Sequence, residues 1–274
     1  MRDVLVHASN FNCWGAGVGY AADLAARLDG TLTGVYIHPS PLQMAPSYGS
    51  PDLLAAIMEN TSDVQKAAHR SEQAFVTWVR SIGVREASWQ VAEGTVPLAL
   101  ARMANWHDVL VLERNPDEPW GLPGDLGTLV LGAGIPCIVT PRGMREASLG
   151  CIALAWNGSM ESVRAIHAAL PLIQHATRVV LLQGSERDAY VEPNGRPAFD
   201  MDLYLARHSI KIEQRAIVAP DTLAGEALLK ASADVKADLL VMGAYGRSRF
   251  SEWVYGGATR TVLADAHLPI FVRG

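Results

Sequence analysis

Residues 243–260 read GAYGRSRFSEWVYGGATR, with one glycine pair at Gly243 and Gly246 and a second at Gly256 and Gly257. Glycine lets backbone N–H groups approach an anion with no Cβ in the way, and it permits the turns that aim them. The stretch follows the apolar run Leu239–Met242 and leads into a helical segment through Arg260 and Leu263. A helix opening on Gly256, Gly257, Ala258 and Thr259 presents unpaired donors and a partial positive charge. The two glycine pairs thus read as two walls of a phosphate site, with Arg247 and Thr259 as side-chain donors beside Ser248, Arg249 and Arg260.

Such a site needs strands behind it. The chain repeats itself: DVLVHASN (3–10) and CIALAWNGS (151–159) each precede a helical stretch and a second apolar run. HDVLVLE (107–113) and ADLLVMG (237–243) each precede a loop, a short helix and a last apolar run, IPCIVTP or LPIFVRG. Continuously apolar short runs suit strands buried on both faces of a parallel sheet. In Ser159–Ile173 the apolar residues Val163, Ile166, Ala169, Leu170 and Ile173 make one helical stripe, behind an Asn157-Gly158-Ser159 turn and N-cap. The longest helical stretch, Ser50–Ile82, has its expected break near Asn60-Thr61-Ser62. The expected fold is α/β: two tandem doubly wound five-stranded parallel sheets with helices on both faces. The expected domains are 1–142 and 150–274, joined by the polar stretch Arg142–Gly150. In open α/β sheets ligands bind at the carboxyl ends of the strands, which adds the loop at Ala155 and Asn157 to the candidate site.

The pattern G-x2-G-x9-G after an LLVMG strand, together with AWNGS, resembles the universal stress protein family in its bacterial tandem form. The resemblance is specific in the second half and architectural in the first. It implies an adenine nucleotide, ATP or AMP with or without Mg, held by Ala155, Asn157, Met242, Gly243, Gly246, Arg247, Gly256, Gly257, Ala258 and Thr259. It also implies a role in stress response as a binding or signalling module. Asn157 stands where the family usually has aspartate, and Gly257 where it usually has Ser or Thr, so one charge and one hydroxyl are missing. Family members dimerise through the last strand of each domain. In one chain that pairing brings Leu268–Val272 to Ile135–Thr140, with a homodimer as the alternative.

The first half departs. Its counterpart loop, ERNPDEPWGLPGDLGT (113–128), has Glu113 in the Gly243 slot and Pro116 in the Gly246 slot. Proline offers no N–H, and Glu113, Asp117, Glu118 and Asp125 repel phosphate. The expectation is that this half binds no nucleotide there. Gly15-x-Gly17-x-Gly19 lacks the G-x-G-x-x-G spacing of a dinucleotide fingerprint, and no P-loop motif is present. His7 and His38 lie at strand ends and read as structural; Cys137 and Cys151 read as inert core thiols. No catalytic constellation stands out, leaving at most slow ATP hydrolysis. A non-nucleotide adaptor working through Phe250, Trp253 and Tyr255 is the alternative function.

A formal net charge of −5 gives no electrostatic pull toward nucleic acid or an anionic membrane. No apolar run reaches the ~20 residues of a membrane span. Three cysteines without CxxC spacing favour reduced thiols, and MRDVLVHASNFN is too quickly polar for a signal peptide, so a cytoplasmic protein is expected.

Overall fold

The computed structural model describes residues 1–46, 49–118, 120–184, 201–244 and 257–274. The chain packs as two compact units. The first comprises Met1–Trp120, Gly132–Ile135 and Arg142–Ala147; the second comprises Gly121–Leu131, Pro136–Pro141 and Ser148–Gly274.

In the first unit β1 (Asp3–His7), α1 (Ala16–Arg27), β2 (Thr31–His38), a one-turn α2 (Pro41–Met44), α3 (Pro51–Arg70), α4 (Glu72–Ile82), β3 (Glu86–Glu93), α5 (Val96–Ala104) and β4 (Val109–Glu113) follow in order. The strands lie in the order β3-β2-β1-β4 and every pair is parallel. Val4, Leu5, Val6 and Val109–Leu112 are buried without alternation, as strands covered on both faces must be.

The long helical stretch breaks at Ser71, not at Asn60–Ser62. Thr61 stays within the helix, with its hydroxyl donating to the Ile57 carbonyl at 2.8 Å. The break comes where the buried Trp89 indole takes the Ala68 carbonyl, at 2.8 Å, and Ser71 N–H reaches that same carbonyl in a tightened turn. Trp89, Phe75, Trp14 and Trp78 pack there as one aromatic cluster.

The polar stretch after Thr140 is no loose tether over residues 142–147. Gly143 N–H donates to Glu113, Ala147 N–H donates to Asp23 at 2.8 Å, and Arg142 pairs with Asp117. Arg145 adds a long bond to the Trp14 carbonyl, and Ala147 is fully buried.

The second unit begins with α6 (Pro123–Gly132) and β5 (Cys137–Thr140). It continues with β6 (Cys151–Trp156), α7 (Met160–Ile173), β7 (Arg178–Gln183), α8 (Met201–Arg207), β8 (Ile212–Ala216), a 3-10 turn at Asp221–Leu223, α9 (Ala224–Asp234), β9 (Leu239–Gly243), α10 (Gly257–Asp265) and β10 (Ile270–Arg273). Its strand order is β5-β10-β9-β6-β7-β8. Packing therefore groups the strands four and six where the repeat counts five and five, because β5 pairs antiparallel with β10. Ile138 lies opposite Phe271, whose other neighbour is Val241 on β9.

No helix among the described residues is long and apolar enough to cross a membrane. Phe271 is completely buried at the centre of this pairing. Phe271→Ala is expected to cost about 3–5 kcal/mol in urea unfolding, the usual result of emptying an aromatic core position.

Candidate functional site at the strand ends

In the second unit β6 stops at Trp156, and the next three residues make one device. Asn157 Oδ1 accepts the Ser159 N–H at 3.1 Å, with Gly158 between them at φ +73. Ser159 Oγ then accepts the Ser162 N–H at 3.2 Å and caps α7. The Asn157 oxygen is thus committed to its own turn, which leaves its NH2 group as the part that can donate to a ligand. Leu154 lies opposite Val241, so Ala155 and Met242 follow at the same level; Ala155 is half-buried and Met242 buried.

Gly243 closes β9 under the first turn of α7. A Cβ there would lie 2.5 Å from the Glu161 carbonyl carbon and 2.6 Å from the Ser162 nitrogen. Close helix–strand packing is therefore sufficient reason for this glycine, whatever else binds nearby. Gly257 and Ala258 open α10, with Gly257 exposed and nothing among the described residues within 4 Å of its Cβ direction. Thr259 is buried, at 5% exposure. Gly246, Arg247 and Gly256, with Ser248, Arg249 and the aromatic residues Phe250, Trp253 and Tyr255, lie outside the described residues, as does most of the Gly184–Pro197 loop.

The first unit reverses the contact under α7. Here the strand-end residue is Glu113, and the helix residue above it is Gly17, the second residue of α1, as Glu161 is of α7. A Cβ on Gly17 would lie 2.7 Å from the Glu113 Cβ; one on Gly243 would lie 2.7 Å from the Glu161 Cβ. Neither unit has room for a Cβ on both partners: glutamate stands on the strand in the first and on the helix in the second, where the α7 backbone itself also closes over Gly243. The aligned repeats carry this exchange as Gly17/Glu161 and Glu113/Gly243, but only the second pair was evident from the strand pattern. The Glu113 carboxylate accepts Gly17 N–H at 3.0 Å and Gly143 N–H at 2.9 Å.

His7 and His38 form no cluster. His7 lies opposite Val35 on β2, so strand alternation puts His38 on the other face. His7 packs edge-on against Trp120 at 5.1 Å, and burial lowers its pKa to about 4. His38 Nδ1 lies 3.2 Å from the Pro39 carbonyl. Cys137 is buried, and burial pushes its thiol up to about 12, which makes it a poor nucleophile. Cys151 is also buried and its thiol is raised for the same reason. Among the described residues no group of three or more His, Cys, Asp or Glu could hold a metal ion.

Two outcomes follow from these contacts. Gly243→Ala should lose about 1–3 kcal/mol through overpacking. Adding Glu161→Gly should return little of it in a double-mutant cycle, because the two nearest atoms, the Glu161 carbonyl carbon and the Ser162 nitrogen, are backbone and stay in place. The second outcome concerns pH. The folded state keeps His7 neutral below its ordinary pKa, so only the unfolded chain takes up that proton as pH falls from about 6.5 to about 4. Stability from this group is complete above that window and declines through it, by at most about 3 kcal/mol. His7→Phe should flatten that part of the stability–pH curve.

Residues 152–272 match the model of the universal stress protein family. A universal stress protein of Synechocystis sp. is 22% identical over 289 residues, covering 98% of this chain and 99% of that one. Among solved structures, a universal stress protein from Archaeoglobus fulgidus superposes with a TM-score of 0.65 at 11% identity, over 99% of this chain and 96% of that one. A Pseudomonas aeruginosa structure described as a universal stress protein gives a TM-score of 0.57 at 17% identity, over 100% and 93%. At such identities the structures speak for the fold, and the family model carries the sequence assignment. The likeness to the universal stress protein family is thus carried in sequence by residues 152–272 and in fold by the whole chain.

Proposed function

We propose that the C-terminal half binds an adenine nucleotide, ATP or AMP, and that the protein acts in the cytoplasm as a stress-response binding module. The observation that carries this reading is the contrast between two corresponding helix starts. Helix α10 opens on Gly257, exposed and with nothing among the described residues within 4 Å of its Cβ direction, and has no acidic residue in its first turn. Helix α6, its counterpart in the first half, opens on Pro123 and has Asp125 in its first turn. The first-turn N–H groups of a helix have no intrahelical partner, so α10 offers donors and a favourable dipole to a phosphate. Helix α6 offers one donor fewer, because proline lacks the N–H, and its Asp125 already supplies a negative charge.

In this reading the phosphates sit at Gly257 and Ala258, with Gly246, Arg247 and Gly256 completing the cradle. The NH2 group of Asn157 addresses the sugar or base beside Ala155, Met242 and Gly243. Any Mg ion arrives on the phosphates, since the described residues assemble no carboxylate cluster for it. Thr259, buried in the first turn of α10, is a further candidate donor. The halves 1–142 and 150–274 are two copies of one domain, and the β5–β10 pairing takes the place of a homodimer contact.

The test is Gly257→Glu. A carboxylate at a helix start stabilises the helix by about 0.3–1 kcal/mol, so the variant should fold at least as well as wild type. It should lose the stabilisation ATP confers on wild type, about 2.7 kcal/mol at a hundredfold excess over Kd. If ATP, ADP and AMP all leave the wild-type midpoint unmoved at ~1 mM, a Kd tighter than that is excluded and the adaptor reading replaces this one.

A further inference from the structure

In the first unit the question is what an outside anion would find at the end of β4. Glu113 reaches there from the strand end, and its two carboxylate oxygens accept from different segments. Oε2 takes the Gly17 N–H in the first turn of α1, at 3.0 Å, and Oε1 takes the Gly143 N–H of the following connector, at 2.9 Å. The α1 start has no side-chain cap and no acidic residue of its own in its first turn. Glu113 therefore supplies from 96 residues away the negative charge that a helix start favours. Room for it exists because Gly17 has no side chain; a Cβ there would meet the Glu113 Cβ at 2.7 Å.

We propose that Glu113 is a resident anion: its carboxylate fills, in the N-terminal half, the place at a strand end and helix start that a phosphate or carboxylate from solution would otherwise take. The contact is autoinhibitory for ligand binding in that half. It also fastens the connector, because the Gly143 N–H is held by the same group, while Asp23, six residues further along α1, holds Ala147. The second unit has no such internal anion on its strand, since Gly243 occupies that slot. Where the proposed nucleotide site holds, each chain therefore takes one nucleotide, not two. The proposal itself rests on the first unit alone, so it survives failure of that reading.

The test uses the full chain with Glu113→Gly and Glu113→Gln, and sodium formate as the probe against sodium chloride at equal ionic strength. Charged hydrogen bonds are among the stronger ones, so Glu113→Gly should melt lower by a few degrees. Formate should restore part of the loss in this variant, while chloride does not, and wild type should respond alike to both salts. Coincident formate and chloride curves for Glu113→Gly, or a wild-type midpoint for it, overturn the proposal. Should Glu113→Gly fail to fold, Glu113→Gln decides: its amide keeps the shape but turns an NH2 group toward one of the two N–H donors. Hydrogen exchange at Gly17 or Gly143 should then quicken roughly tenfold, and unchanged protection at both overturns it.

Discussion

Where the first turn of a helix settles on the end of a strand, this fold leaves no space for a Cβ on both. Both units obey that constraint and resolve it in opposite ways, with glutamate on the strand under α1 and on the helix at the start of α7. The choice has electrical consequences. A glutamate rising from the strand can turn its charge into the N–H groups of the helix start, and it does so at Gly17. A glutamate belonging to the helix itself sits in the first turn, where its charge favours the dipole. One steric rule thus makes two electrostatically different faces from two copies of similar secondary structure.

Much of the fold was legible because buried parallel strands leave an unmistakable mark. The runs at Val4–Val6, Val109–Leu112 and Leu239–Met242 are apolar without alternation, and each is a buried strand. The Asn157-Gly158-Ser159 turn was equally legible, since its partners lie within two or three residues. The break in the long helix was not. It depends on the indole of Trp89, a residue beyond the helix that competes for the Ala68 carbonyl. Local polarity at Asn60–Ser62 pointed elsewhere, but a threonine hydroxyl can bond its own helix and leave it intact.

The candidate site was legible as a motif and less so as physics. The sequence suggests that Glu113 repels ligands; the structure adds that its charge is matched by two N–H donors, from partners 96 and 30 residues distant. Separations of that size leave no periodic trace. Gly243 offers the converse lesson. Anion approach is one reason for a glycine in that position, and close contact with Glu161 and Ser162 is another that operates without any ligand. The weight of the nucleotide reading accordingly shifts toward the start of α10, where among the described residues nothing lies within 4 Å of a Cβ placed on Gly257.

The pairing of β5 with β10 also bears on how the chain comes into being. Strand β5 ends at Thr140, and its partner β10 begins at Ile270. At ~5–20 residues per second, a ribosome needs on the order of ten seconds to deliver the intervening chain. For that interval β5 emerges with one edge unpaired, carrying the buried residues Cys137, Ile138 and Val139. An open apolar edge is a template for pairing with the wrong chain. The strand that completes the second unit is thus also the one that ends a period of exposure during synthesis.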